Sequence, residues 1–201
     1  MKNTLITLIT FLCFINVNAQ ITTHQQVEGT EEPGSSEYGV YYKDLNNVFD
    51  NFVGTYEYSG SDFYFKIVLK RKNHSNVSNY YWEDIIVGGY QYIKNGVEIN
   101  YLNVNTGMMI NGKNEANIAA SSIVGPESNF CDDCPLEKSL RGAIFDPVRH
   151  KSGTLYLARK TQNGQAGLQI WILLSASVQE PWESDEPIQL PTGMLFMKKI
   201  E

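Results

Sequence analysis

The pair Cys131-Asp132-Asp133-Cys134 carries more potential chemistry than any other segment of this chain. Two cysteines at this spacing can form a local disulfide, act as a redox couple, or supply half of a zinc site. A redox couple wants its thiols at a helix N-terminus inside a βαβ unit. Here the surroundings read as strand and loop, and two acids between the cysteines disfavour a thiolate. Zinc needs two further ligands, yet His24, His74 and His150 stand alone in the sequence, with no second cysteine pair. A disulfide between Cys131 and Cys134, pinning the loop from Pro126 to Pro135, is the favoured reading, with the redox and zinc sites as alternatives.

Other constellations are weaker. Asp132 and Asp133, with the acidic run Glu180 to Glu186, could offer oxygen ligands to calcium, but the regular Asp-x-Asp-x-Asp-Gly loop is missing, so a solvated acidic loop is expected. Glu83, Asp84 and Asp44 could supply an acid and a base for glycoside cleavage. Any chain with 22 acidic residues offers such pairs. There is no Gly-x-Ser-x-Gly elbow and no His-Glu-x-x-His helix. His74 falls in an expected turn from Asn73 to Asn79, and His150 in a loop before Lys151. The sequons at Asn73 and Asn76 read as chance matches in that turn. No catalytic, cofactor or metal residue is assigned, and the protein is not expected to be an enzyme.

The compartment follows from the first nineteen residues. Lys2, an apolar run from Leu5 to Ile15 and the small-residue exit Val17-Asn18-Ala19 have the layout of a signal peptide, with cleavage expected between Ala19 and Gln20. The run is too short to span a bilayer, which takes about 20 residues. Lipoprotein processing at Cys13 is the rival, and Phe11-Leu12 before it is a poor match. A secreted or periplasmic protein is expected, in an environment that permits a disulfide.

Removing Lys2 takes the net charge from −6 to −7, and the basic residues form no cluster beyond Lys70-Arg71-Lys72 and Lys198-Lys199. Nucleic acid is excluded as a partner. About 180 mature residues suit one domain, expected to be a monomer. Abundant Tyr, Phe, Gly and Asn points to strands and turns.

Residues 20–37 are polar and rich in Gly and Pro, and are read as a flexible leader before one domain over residues 38–201. Leu45, Val48, Phe49 and Phe52 fall at i, i+3, i+4 and i+7 behind a capping Asp44, predicting one short amphipathic helix. The period then changes to two. Phe63, Phe65, Ile67 and Leu69 share one face, opposite Lys66 and Lys70, after a strand from Val53 to Tyr58 and a turn at Ser59 to Asp62. A strand from Tyr80 to Ile93 contains Gly88-Gly89, read as a bulge or corner. Asn95-Gly96 joins it to Val97 to Tyr101 as a two-residue hairpin. Strands are expected at Glu115 to Ser122, Leu140 to Phe145, Thr154 to Arg159, Ala166 to Ser175 and Met194 to Ile200. Leu168, Ile170, Ile172 and Leu174 should face inward, opposite Gln169, Trp171, Leu173 and Ser175. The fold expected is a mostly β, single antiparallel up-and-down barrel of about eight or nine strands with one short N-terminal helix; a β-sandwich is the alternative.

The run Phe52-Val53-Gly54-Thr55-Tyr56-Glu57-Tyr58, behind a short helix and opening a strand meander, resembles the Gly-x-Trp start of lipocalin-like barrels. Tyr56 stands where that pattern has Trp, and no later Arg matches its packing partner. More of the chain, namely the signal exit, Phe52 to Tyr58, Asp84 to Gly96 and Leu190-Pro191-Thr192-Gly193-Met194, resembles an uncharacterised family of small secreted bacterial proteins, a domain of unknown function. That resemblance implies export and a fold, without site residues.

Two functions are therefore expected to compete: a lipocalin-like barrel holding a small apolar ligand, and a cell-envelope interaction or structural protein with a filled core. A hydrolase is a distant third. Gly88, Gly89, Ala119 and Ala120 would leave interior room, whereas the Phe63 to Leu69 row would fill it. The tyrosines (Tyr41, Tyr42, Tyr56, Tyr58, Tyr64, Tyr80, Tyr81, Tyr90, Tyr92 and Tyr101), with Trp82, suit either core packing or a ligand face.

Overall fold

The computed structural model describes residues 22–25, 39–78, 81–100, 108–110, 113–125, 131, 134, 138–174 and 188–201. The signal segment, Ala19, Gln20, Asp132, Asp133 and the Glu180 to Glu186 run lie outside them.

Thirteen strands are described: β1 (Thr22–Gln25), β2 (Val40–Lys43), β3 (Gly54–Ser59), β4 (Phe63–Ser78), β5 (Tyr81–Lys94), β6 (Val97–Asn100), β7 (Met108–Ile110), β8 (Lys113–Ala116), β9 (Ile118–Val124), β10 (Ser139–Asp146), β11 (Lys151–Gln162), β12 (Gln165–Leu174) and β13 (Gly193–Lys199). Eight of them form a closed antiparallel barrel in the order β5-β4-β3-β13-β12-β11-β10-β9. Pairing of Ile86 with Ala120 and of Gly88 with Ile118 joins β9 back to β5. Consecutive hairpins make most of the wall, as an up-and-down meander requires. The free edge of β5 is shared along its length by β2, then β9, then β6. Within the stretch read as a leader, Thr22–Gln25 pairs in parallel with β2. The strand β2 itself was not foreseen.

Two hairpins turn on Asn-Gly pairs in the left-handed region, with φ of 51° and 75° at Asn95-Gly96 and 51° and 76° at Asn163-Gly164. Positive φ at both central residues is what a tight hairpin of matching twist requires, and Asn and Gly adopt it at least cost.

The interior is packed. Phe65, Ile67 and Leu69 of β4 are buried with Tyr90 and Tyr92 of β5 and with Leu168, Ile170 and Ile172 of β12; Phe63 is half-buried at the rim. Space expected beside the small residues is taken up. A Cβ built on Gly88 would stand 2.3 Å from the Val68 carbonyl oxygen and 2.8 Å from Leu69 Cδ2. At Gly142 a Cβ would stand 2.2 Å from the Ala119 carbonyl oxygen. These glycines let neighbouring strands approach closely.

Three expectations are corrected. The helix over residues 44–52 is a single 3₁₀ turn, Phe49–Phe52, and Leu45 is 52% exposed. Asp44 does cap it, its carboxylate accepting the N–H groups of Val48 (3.0 Å) and Phe49 (2.9 Å). The left-handed Asn47 (φ 52°) interrupts the turns upstream, so the apolar period never becomes an α-helix. No register shift occurs at Gly88-Gly89; the irregularities in the β4–β5 pairing lie between Lys72 and Ser75 and between Asn76 and Ser78. His74 and the two sequons therefore sit in a long strand and its bulge, and not in a turn.

Candidate functional site

Among the described residues, two places bring concavity or polarity together with aromatic side chains. The first is the barrel end away from the 3₁₀ turn. Phe63, Tyr92, Leu195, Ile188, Leu190 and Pro191 line an open pocket of about 430 Å³, with Lys94, Gln189 and Thr192 as its polar members. The chain crosses this mouth because Ile188 and Leu190 are buried in the core while Asp146 holds the backbone between them. One Asp146 oxygen accepts the Gln189 N–H at 2.6 Å, and the other accepts those of Val148 and Arg149. The side-chain oxygen of Gln189 is buried and has no hydrogen-bond partner. Phe63 packs between Tyr58 (4.9 Å) and Tyr92 (5.7 Å), continuing an aromatic rim. Burial pushes the Tyr92 hydroxyl pKa up, so it stays a neutral donor at the pocket floor.

The opposite end is closed. Phe49 and Phe52 of the 3₁₀ turn are buried against the core, and the Tyr56 hydroxyl donates to the Phe52 carbonyl at 3.1 Å. Burial raises that hydroxyl to about 12. The Lys199 ammonium lies 5.7 Å from the Tyr56 ring centroid and donates to the Val53 carbonyl at 3.0 Å. A cation thus lies over the Tyr56 ring of β3. Sequence inspection sought an Arg and passed over Lys199, which at the far end of the chain shows no local sign of its neighbour.

The second place lies beside the barrel, where β4 and β5 run on past the wall and β2 joins them. Asp84 is fully buried and accepts hydrogen bonds from the Tyr41 hydroxyl (2.6 Å), the backbone N–H groups of Asp44 and His74 (both 3.1 Å) and Arg71 (3.1 Å). Burial alone would raise its pKa; those hydrogen bonds outweigh it and hold the carboxyl below its ordinary value. The same environment pushes Tyr41 up to about 12, through burial first and the Asp84 hydrogen bond next. Arg71 also reaches Asp50 (2.8 Å), Asn73 (2.7 Å) and Asn47 (3.2 Å), with Asp44 at 3.8 Å. The left-handed His74 (φ 51°) presents its exposed ring between Tyr41, edge-on at 4.7 Å, and Trp82, stacked at 5.4 Å and 14°.

Of the carboxylates considered for acid and base roles, Asp44 and Asp84 are thus brought together, but each is committed to hydrogen bonds that hold the fold. Glu83, their neighbour in sequence, is buried and alternates to the other face of β5. His150 lies at the end of an exposed turn. Cys131 and Cys134 are joined in a disulfide, Cα atoms 5.4 Å apart, packed on Ala158. Sequence reasoning missed Arg71 as the hub, and the one available signal was its position in Lys70-Arg71-Lys72, which gives no hint of three aspartates around it.

A protein family matches the chain over residues 1–199. The chain belongs to a family of unknown function, DUF6705. No curated protein and no solved structure matches it. The DUF6705 chain is therefore a β-barrel whose family carries no assigned activity, and its functional reading rests on its own geometry.

Proposed function

We propose that this DUF6705 protein is exported, with cleavage between Ala19 and Gln20, and works in the secreted or periplasmic space as a non-enzymatic, lipocalin-like barrel that takes a small apolar ligand at its mouth. The open aromatic pocket at the Phe63, Tyr92 and Leu195 rim carries this reading. Its volume falls within the range of about 300 to 1,000 Å³ usual for small-molecule sites, and its lining sets aromatic and aliphatic side chains beside the polar Lys94, Gln189 and Thr192. Because rings and aliphatic side chains fill the barrel below it, the ligand sits in the rim rather than deep in the lumen. The signal-like N-terminus and the Cys131–Cys134 disulfide both suit an oxidising compartment.

The test is native mass spectrometry and apolar-dye titration of the mature protein, with a Leu195→Arg variant placing charge in the rim. One bound small molecule or dye, displaced in the variant, is the expected result. A mature protein that binds no apolar probe would refute the reading. A second reading, an envelope interaction protein with a filled core, is favoured by the outward row Tyr156, Trp171 and Met194, cross-strand neighbours on β11, β12 and β13, with Met194 60% exposed. Dye binding that is insensitive to Leu195→Arg and lost in Met194→Glu would favour it.

A further inference from the structure

We propose that the rings of Tyr41, His74 and Trp82, together with Asn47, Asn73 and Asp50, form a second binding site, and that its ligand is a neutral carbohydrate. The site lies on the β2–β5–β4 extension and is separate in residues from the mouth pocket, so it stands independently of the reading given above.

A sugar ring presents apolar C–H faces beside hydroxyls that each donate and accept. Recognition therefore calls for aromatic surface next to fixed amide donors and carboxylate acceptors. Both halves are present here. His74 is exposed, Tyr41 and Trp82 are half-buried, and none of the three rings belongs to the barrel core. Their positions are fixed from below: buried Asp84 binds both the Tyr41 hydroxyl and the His74 backbone N–H, and the β4 irregularity at Lys72 to Ser75 turns His74 toward the two rings. A non-glycine residue held in the left-handed region at a bulge is the kind of local strain that accumulates at functional sites.

The polar half is oriented by Arg71. Its guanidinium has only donors, so it takes the oxygen end of each neighbour: Oδ1 of Asn47, of Asn73 and of Asp50. The carboxamide N–H groups of the two asparagines and the second oxygen of Asp50 are then left for a ligand, on three exposed residues. Asn73 is adjacent in the chain to His74, which brings the amide donors to the edge of the aromatic surface. Within the hydrogen-bonded set one guanidinium meets the three carboxylates of Asp44, Asp50 and Asp84, so the acceptor presented beside the rings is a carboxylate, which disfavours an anionic sugar. A rigid, pre-ordered site of this kind loses little side-chain freedom on binding.

The mature, full-length protein is tested by calorimetric titration with neutral oligosaccharides of glucose, mannose and N-acetylglucosamine, and with polygalacturonate as the charged comparison. Binding to at least one neutral oligosaccharide is expected, weakened by about tenfold or more in both His74→Ala and Asn73→Ala. Both residues are exposed, so the variants should stay folded, with the unfolding temperature lowered by no more than about 4 °C, and Val148→Ala in the exposed turn after β10 should leave the affinity within about twofold. Three results would overturn the proposal: no neutral oligosaccharide binds, binding survives in both variants, or polygalacturonate alone is bound.

Discussion

Replacing Asp84 with Asn tests the idea that one buried carboxylate fastens the β2–β5–β4 extension to the barrel. The side chain is fully buried and accepts from Tyr41, Arg71 and two backbone N–H groups. An amide keeps the shape, removes the charge and turns one acceptor into a donor that faces donors. Breaking a buried ion pair from one side costs about 3 to 5 kcal/mol. Arg71 is partly exposed and keeps Asp50 at 2.8 Å, so the lower end applies, about 3 kcal/mol. For a domain of this size that lowers the melting temperature by about 6 to 12 °C. The pH dependence has a definite sign. The folded pKa of Asp84 lies below the ordinary carboxyl value of 3.8, so the stabilisation is complete above that value and drains away as pH falls through the folded pKa. Parent and variant should converge toward acid. Urea unfolding of both at pH 7 and at successive acid values provides the assay, with Asp50→Asn, an exposed partner, expected to cost at most about 1 kcal/mol. A loss at pH 7 below about 1 kcal/mol for Asp84→Asn, or a gap that stays constant into acid, would refute the argument.

Two shorter predictions come from other parts of the fold. Asn117 is fully buried where β8 passes into β9, and neither its amide nitrogen nor its amide oxygen has a partner, while its backbone already bonds to Gly88 and Phe145. Asn117→Leu should leave stability unchanged or raise it by about 1 to 2 kcal/mol in urea melts, since an unpaired buried polar group is costly; a clear loss would mean that the amide is engaged. The Cys131–Cys134 disulfide closes so short a loop that reducing it should cost only about 1 to 2 kcal/mol. Calorimetry with and without reductant checks this, and collapse of the fold on reduction would contradict it.

The barrel was legible because its strands announce themselves locally. Alternation over Phe63 to Leu69, and the Asn95-Gly96 turn, fix face and register through contacts between near neighbours in sequence. The 3₁₀ turn was misread as a helix for a related reason: Leu45, Val48, Phe49 and Phe52 do have the helical period, but the Asp44 cap is held by Asp84, forty residues away, and Leu45 is left in solvent. Distant partners were invisible in the same way around Arg71, which gathers Asp44 from the loop after β2, Asp50 from the 3₁₀ turn and Asp84 from β5.

By itself the sequence pointed to a mostly antiparallel β-barrel of about eight or nine strands over a β-sandwich, favoured a Cys131–Cys134 disulfide over redox and zinc sites, and resembled a family without an assigned role. Those properties come from periodicity, turn chemistry and short-range spacing. Only the tertiary structure decided which aromatic and aliphatic side chains pack together inside the barrel, that the chain crosses the mouth at Ile188 to Leu190, and that Asp84 underlies an aromatic surface at Tyr41, His74 and Trp82. Such features depend on which residues meet across the barrel, and that follows from closure of the sheet between β9 and β5 rather than from any local pattern.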